Sequence, residues 1–151
     1  MSKKNLEIRE IQAADLDQLL VLYTHLHNNP MPEIDNRIRT LWDKILIDED
    51  YHIVVGIADE KIVASCVLAV IQNLTYGQRP YALIENVITH EEYRNRGYAT
   101  KVLDFAKDIA IRNRCYKMML LTGSKAEKTL AFYENAGYNQ NDKTAFIQWL
   151  I

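Results

Sequence analysis

The chain has 151 residues, a formal net charge of −2, 48% apolar residues and 25% charged residues. This composition is that of one globular domain, residues 1–151, with a core of its own. It excludes the broad basic face that non-specific nucleic-acid binding requires. No apolar run approaches the roughly 20 residues of a membrane span, and MSKKNLEIRE lacks the apolar stretch of a signal peptide. The expectation is a soluble cytoplasmic protein that engages neither nucleic acid nor membrane.

Residues 5–11 alternate apolar and polar side chains, the mark of a short strand. Leu16, Leu19, Leu20, Tyr23 and Leu26 then recur at helical spacing, with Asp15 ahead of them as the expected N-cap. Asn28-Asn29-Pro30-Met31-Pro32 breaks this helix. A second helix carries Ile34, Ile38, Leu41, Trp42, Ile45 and Leu46 on one face. Residues 51–58 and 61–73 are rich in Ile and Val, and the Asp59-Glu60 step between them suggests a hairpin. A polar loop, NLTYGQRP, leads to a strand over residues 81–89. Residues 97–114 are helical, with Ala99, Val102, Leu103, Ala106, Ile109 and Ala110 facing one way. Residues 116–122 read as a strand, and 125–135 as a short helix stopped by Gly137. Residues 144–151 read as a final strand, apolar on both faces, which could join a homodimer.

The order β-α-α-β-β-β-α-β-α-β predicts an α+β fold: a mixed, mostly antiparallel sheet with a central parallel strand pair and helices on both faces. Cys66 and Cys115 match no metal-ligand spacing and no CxxC pair, and both are expected as reduced core residues. His25 and His27 stand two apart and cannot share a helix face. No metal site is expected.

The stretch EEYRNRGYAT carries the chemistry. It follows a strand and opens an amphipathic helix. A helix N-terminus presents unpaired N–H groups and a positive dipole end, which together suit an anion. Gly97 lets a bulky anion approach the backbone, Arg94 and Arg96 add guanidinium groups, and Thr100 offers a hydroxyl. With one glycine only, the stretch is neither a Walker A loop nor a dinucleotide fingerprint.

This stretch resembles the coenzyme-A-binding motif [RQ]xxGx[GA] of the GNAT superfamily of acyl-CoA-dependent N-acetyltransferases, at Arg94, Gly97 and Ala99. A second segment, LAFYENAGY at residues 130–138, resembles that family's C-terminal aromatic signature. The element order fits from residue 5 to 151. The C-terminal half is also similar to glucosamine-6-phosphate N-acetyltransferases, although Glu85-Asn86 stands where those enzymes carry Glu-Asp.

The resemblance implies acetyl-CoA as acetyl donor. Its pyrophosphate would rest on the backbone of Asn95, Arg96, Gly97, Tyr98, Ala99 and Thr100, helped by Arg94. Its pantetheine arm would run beside Val87, Ile88 and Thr89, with an N–H near Val87 or Ile88 polarising the thioester carbonyl. An asparagine common in the family is Ala126 here, and Ser124 or Lys128 would substitute for it. Glu85, in the apolar stretch ALIENVI, is the expected base that takes a proton from the amine, with a pKa raised by burial. Tyr133 is the expected acid for the departing thiolate, in direct transfer without an acyl-enzyme. Tyr23, His27, Tyr76, Arg79 and Tyr81 are the expected acceptor-pocket residues. The acceptor implied is a primary amine of a small molecule. A peptide acceptor and a non-catalytic acyl-CoA sensor share these motifs, and a nucleotide-phosphate binder shares the arginine-glycine loop.

Overall fold

A computed structural model describes residues 5–151. Its strands are β1 (Glu7–Glu10), β2 (Tyr51–Ala58), β3 (Lys61–Ile71), β4 (Tyr81–Thr89) and β5 (Met118–Leu120). Its α-helices are α1 (Leu16–Tyr23), α2 (Asn36–Ile47), α3 (Tyr98–Arg112) and α4 (Glu127–Asn135). The five strands form one sheet in the order β1-β2-β3-β4-β5. Neighbours pair antiparallel except β4 and β5, which are parallel and joined through α3. The expected α+β class and mixed sheet hold. The parallel pair, however, lies at an edge of the sheet and not at its centre.

Both sheet faces are covered, so β2 and β3 read as nearly continuous apolar runs. Val54, Cys66, Leu68 and Ile84 pack under Val102, Leu103, Ala106 and Ile109 of α3. On the other face Ile53, Val55, Val67 and Ile88 meet Leu16, Leu19 and Leu22 of α1 and Trp42 of α2. Each buried Val, Leu or Ile among them contributes about 1.5–3 kcal/mol by leaving water. Gly56 allows β1 its close approach, since a Cβ there would lie 3.3 Å from Ile8 Cδ1.

Local chemistry sets the element ends. Asp35 caps α2 by accepting from Ile38 N–H at 3.0 Å. Asp59 and Glu60 both take positive φ, +52° and +61°, giving the primed turn that matches hairpin twist. Helix α4 closes in a Schellman motif: Tyr138 N–H donates to Tyr133 O, Gly137 N–H donates to Glu134 O, and Gly137 has φ +100°.

Three expectations are corrected. Asp15 does not cap α1. It ends a 3-10 turn and pairs with Arg9 at 2.6 and 3.1 Å, while accepting from Gln12 N–H at 2.7 Å. Helix α1 also ends at Tyr23, short of Leu26. Residues 144–151 form no strand: they are exposed, with Phe146 at 91% and Trp149 at 74%. A segment that is apolar on both faces needs a partner to become a strand, and among the described residues this tail pairs with none. Cys66 is buried, whereas Cys115 is only half-buried, and both are free thiols. No helix among the described residues is long and apolar enough to cross a membrane.

Candidate active site

The site is built around an irregularity in β4. Glu85 pairs with Val67, and Ile88 with Ser65, so Asn86 and Val87 stand opposite the single residue Cys66. This is a β-bulge, and Asn86 adopts φ +50° within it. His90 N–H donates to Val63 O on β3 at 2.8 Å. Alternation back along the strand turns the N–H groups of Val87 and Thr89 to the opposite edge. The N–H of Ile88 faces β3, so of the two expected donors Val87 is the one aimed outward.

That outward edge is open. Strand β5 pairs only with Ala82, Leu83 and Ile84, then ends at Leu120. Beyond this point β4 continues alone to Thr89. The two parallel strands therefore part just before the bulge, after Ile84, and the freed backbone can pair with an extended guest.

The loop after β4 supplies an anion cradle. Asn95 and Gly97 have φ +60° and +77°, and Gly97 is the N-cap of α3. Alternating left-handed residues turn successive N–H groups inward, as in an anion nest. The first N–H groups of α3, from Tyr98 to Thr100, have no partner within the helix. A Cβ at Gly97 would meet nothing within 4 Å, so the space before the helix end is open. Arg94 Nε donates to Thr89 O at 3.3 Å, and Arg96 Nη2 donates to Glu92 O at 3.0 Å while stacking over Tyr93. Each guanidinium keeps further donors. Lys128 Nζ donates to Asn95 Oδ1 at 3.5 Å, which brings a third cation to the loop. Tyr93 Oη is 3.0 Å from Asp59 Oδ2 in the β2–β3 turn. These residues fit a pyrophosphate. Ser124 is already engaged: its Oγ accepts from Ala126 N–H at 3.3 Å at the start of α4.

Glu85 and Tyr133 flank the bulge from opposite faces. Tyr133 is half-buried against the α3 core, edge-on to Phe132 and Tyr138. Burial, and then the neighbouring Cys66, push its hydroxyl above the usual tyrosine range. Glu85 shares the α1/α2 face with its partner Val67. Contrary to expectation it is exposed, and among the described residues no cation pairs with it. The bulge lifts this part of β4 clear of cover. Cys66 is fully buried, and burial pushes its thiol up to about 12, which disqualifies it as a nucleophile at neutral pH.

The expected acceptor residues divide. Tyr23 reaches the site: its hydroxyl meets Ser65 and Asn86, and burial raises its pKa. His27 lies exposed on the turn after α1. Tyr76, Arg79 and Tyr81 sit at the far end of β4, about 13 Å or more from Glu85 along the strand. There Tyr76 stacks on Tyr116 at 4.3 Å, Tyr81 meets the same ring, and Arg79 donates to Arg114 O and Cys115 O. They secure the sheet edge and are not brought to the bulge. Tyr51, which sequence reasoning passed over, does come near: Glu85 is among the charges acting on its hydroxyl.

A bulged β4 parting from a parallel β5, with an anion cradle at the next helix, defines an acyltransferase-like architecture. The chain belongs to the acetyltransferase (GNAT) family, whose model matches residues 14–138. It is 28% identical over 144 residues to glucosamine 6-phosphate N-acetyltransferase of Trypanosoma brucei brucei, covering 92% of each chain. A solved putative acetyltransferase from Agrobacterium tumefaciens is 36% identical, with TM-score 0.87, over 95% of this chain and 99% of that one. The fold is also that of glucosamine-6-phosphate N-acetyltransferase from Arabidopsis thaliana, with TM-score 0.85 at 20% identity, over 97% and 99% of the two chains.

Proposed function

We propose that this protein transfers an acetyl group from acetyl-CoA directly to a primary amine of a small molecule. The observation that carries the proposal is the bulge at Asn86–Val87, which lies where β4 and β5 part and on the strand that leads into the cradle. The cradle at Asn95–Thr100, with Arg94, Arg96 and Lys128, holds the pyrophosphate. The free edge of β4 orders the arm. Bound there, acetyl-CoA supplies an activated acyl carbon.

The chain's residues do the rest. Val87 N–H faces the carbonyl oxygen as charge builds on it. Glu85 takes a proton from the incoming ammonium, directly or through water, and releases it to solvent. The nitrogen then forms its bond to the acyl carbon, and the carbon–sulfur bond breaks. Tyr133 gives its proton to sulfur and is restored by the second proton leaving the nitrogen. Burial that holds Tyr133 protonated supports this role. A small acceptor agrees with the name of the Trypanosoma relative, which acts on an amino sugar.

The working unit we propose is a homodimer. Phe146, Ile147, Trp149 and Leu150 are all more than 70% exposed, and β5 leaves its outer edge unpaired. An exposed apolar segment and an open sheet edge are each a template for pairing. Two copies satisfy each other by laying each tail on the other's sheet.

Thermal unfolding with acetyl-CoA, CoA or ATP, on wild type and Arg94→Ala, tests the donor. Ligand at 100 times its dissociation constant stabilises by about 2.7 kcal/mol, a rise of roughly 5–10 °C at this size. A rise with both coenzymes, smaller in the variant and absent with ATP, is expected. No rise with either coenzyme would overturn the proposal.

A further inference from the structure

Between α1, α2 and the sheet lies a cleft of about 180 Å³, lined by Leu20, Tyr23, Ile38, Trp42, Tyr51 and Asn86 among others. Among the described residues its lining includes no lysine, arginine or histidine. Its polar side-chain groups are the Trp42 indole, which donates to Ala13 O at 3.0 Å, the hydroxyls of Tyr23 and Tyr51, and the amide of Asn86; Tyr23 meets Asn86 at the β4 bulge, and Tyr51 lies within the influence of Glu85 beside it. Glu85 precedes Asn86 and acts on Tyr51, so a carboxylate stands at this end. The cleft is thus apolar within and anionic at the mouth. A larger cavity of about 430 Å³ is lined by Asp17, Arg39 and Asp43, but no strand residue borders it.

We infer that the acceptor is a primary alkylamine carrying an apolar body of about one ring, and not a phosphorylated sugar. This rests on the transferase reading above. Charge complementarity chooses the orientation. The ammonium meets Glu85 and Asn86 at the bulge, and the body enters between Leu20, Ile38 and Trp42. Size chooses the body: an apolar cavity of about 150 Å³ accepts benzene. A phosphate in this cleft would lose its hydration with no cation among the lining residues, a cost that nothing there offsets. The transfer joins the amine nitrogen to the acetyl carbon as the carbon–sulfur bond breaks. The nitrogen sheds two protons, one to Glu85 and solvent and one, through Tyr133, to sulfur.

The test measures thiol release from acetyl-CoA by the full chain, with 2-phenylethylamine and glucosamine 6-phosphate as acceptors. Turnover of 2-phenylethylamine at least tenfold above glucosamine 6-phosphate is expected. Ile38→Lys should raise its KM at least tenfold while the affinity for acetyl-CoA stays within twofold. Should that variant misfold, Trp42 provides a second readout. The chain has two tryptophans, and Trp149→Phe leaves Trp42, whose emission 2-phenylethylamine should shift saturably. Glucosamine 6-phosphate as the better acceptor would overturn the inference and leave the transferase standing. So would acetyl-CoA binding without turnover or a Trp42 response. Absence of coenzyme binding would remove both.

Discussion

Lys128 Nζ lies 3.5 Å from Asn95 Oδ1, so the first turn of α4 is tied to the loop that opens α3. The two segments are 33 residues apart in sequence. Their contact puts a mobile ammonium beside the same N–H groups that Arg94 borders. Replacing Lys128 with Ala should raise the Kd for CoA about 5–30-fold, the loss of one charged hydrogen bond of roughly 1–2 kcal/mol. Calorimetric titration at two salt concentrations checks this. The difference from wild type should shrink as salt rises.

Tyr133→Phe removes a hydroxyl and little packing. Its kcat should fall by about 10²–10⁴, the usual range for a lost acid–base group. The affinity for CoA and the unfolding temperature should barely change. Burial holds the wild-type hydroxyl above its ordinary range. The wild-type rate should therefore show no alkaline fall from this group below pH 10. A variant with full turnover would exclude Tyr133 as the acid.

The Arg9–Asp15 pair predicts a pH-dependent stability. Arg9 is first among the causes that hold the Asp15 carboxyl below its ordinary range. A depressed folded pKa gives stability that is present above the unfolded value of about 3.9 and is lost as pH falls through the folded value. Asp15→Asn should cost about 1–3 kcal/mol at pH 7, because Arg9 is left partly buried and unpaired. Urea unfolding from pH 7 to pH 3 should show the gap between variant and wild type closing below about pH 4.

Gly97→Ala separates conformation from crowding. At φ +77° any side chain is strained, yet the new Cβ meets nothing within 4 Å. The expected loss is about 1–2 kcal/mol, from backbone strain alone. A loss above roughly 4 kcal/mol in chemical denaturation would show that the helix entry is built differently.

Deleting residues 144–151 tests the homodimer. Sedimentation should report a dimer for the full chain and a monomer for the shortened one. In full-length protein carrying Trp42→Phe, Trp149 emission should move to longer wavelength on dilution. A full chain that stays monomeric at high concentration would rule the dimer out.

Much of this was legible in the sequence where one signal dominated. Strand β4 begins and ends where the pattern set it, and Gly97 marks the entry to α3 because only a left-handed residue suits that turn. The bulge was not legible. Asn86 takes positive φ without a glycine to announce it, and a two-for-one pairing depends on β3. Tyr51 lies 34 residues from Glu85, so no local spacing joins them. Tyr76, Arg79 and Tyr81 were drawn to the site because their loop is polar, but polarity does not say which end of a strand a loop serves. The tail reads as a strand because its residues suit one. What it pairs with lies outside a single chain's pattern.

The bond from Tyr93 to Asp59 has a consequence for how the molecule reports on itself. It joins the loop before α3 to the reverse turn between β2 and β3. Amides at that turn open when the hairpin end frays, and Tyr93 helps to hold the end shut together with Gln18, which donates to Glu60 O and accepts from Ile62 N–H. A ligand that stiffens residues 94–100 should therefore slow hydrogen exchange at Glu60 and Lys61. The hairpin tip becomes a distant gauge of whether the cradle is filled, readable without any chemistry taking place.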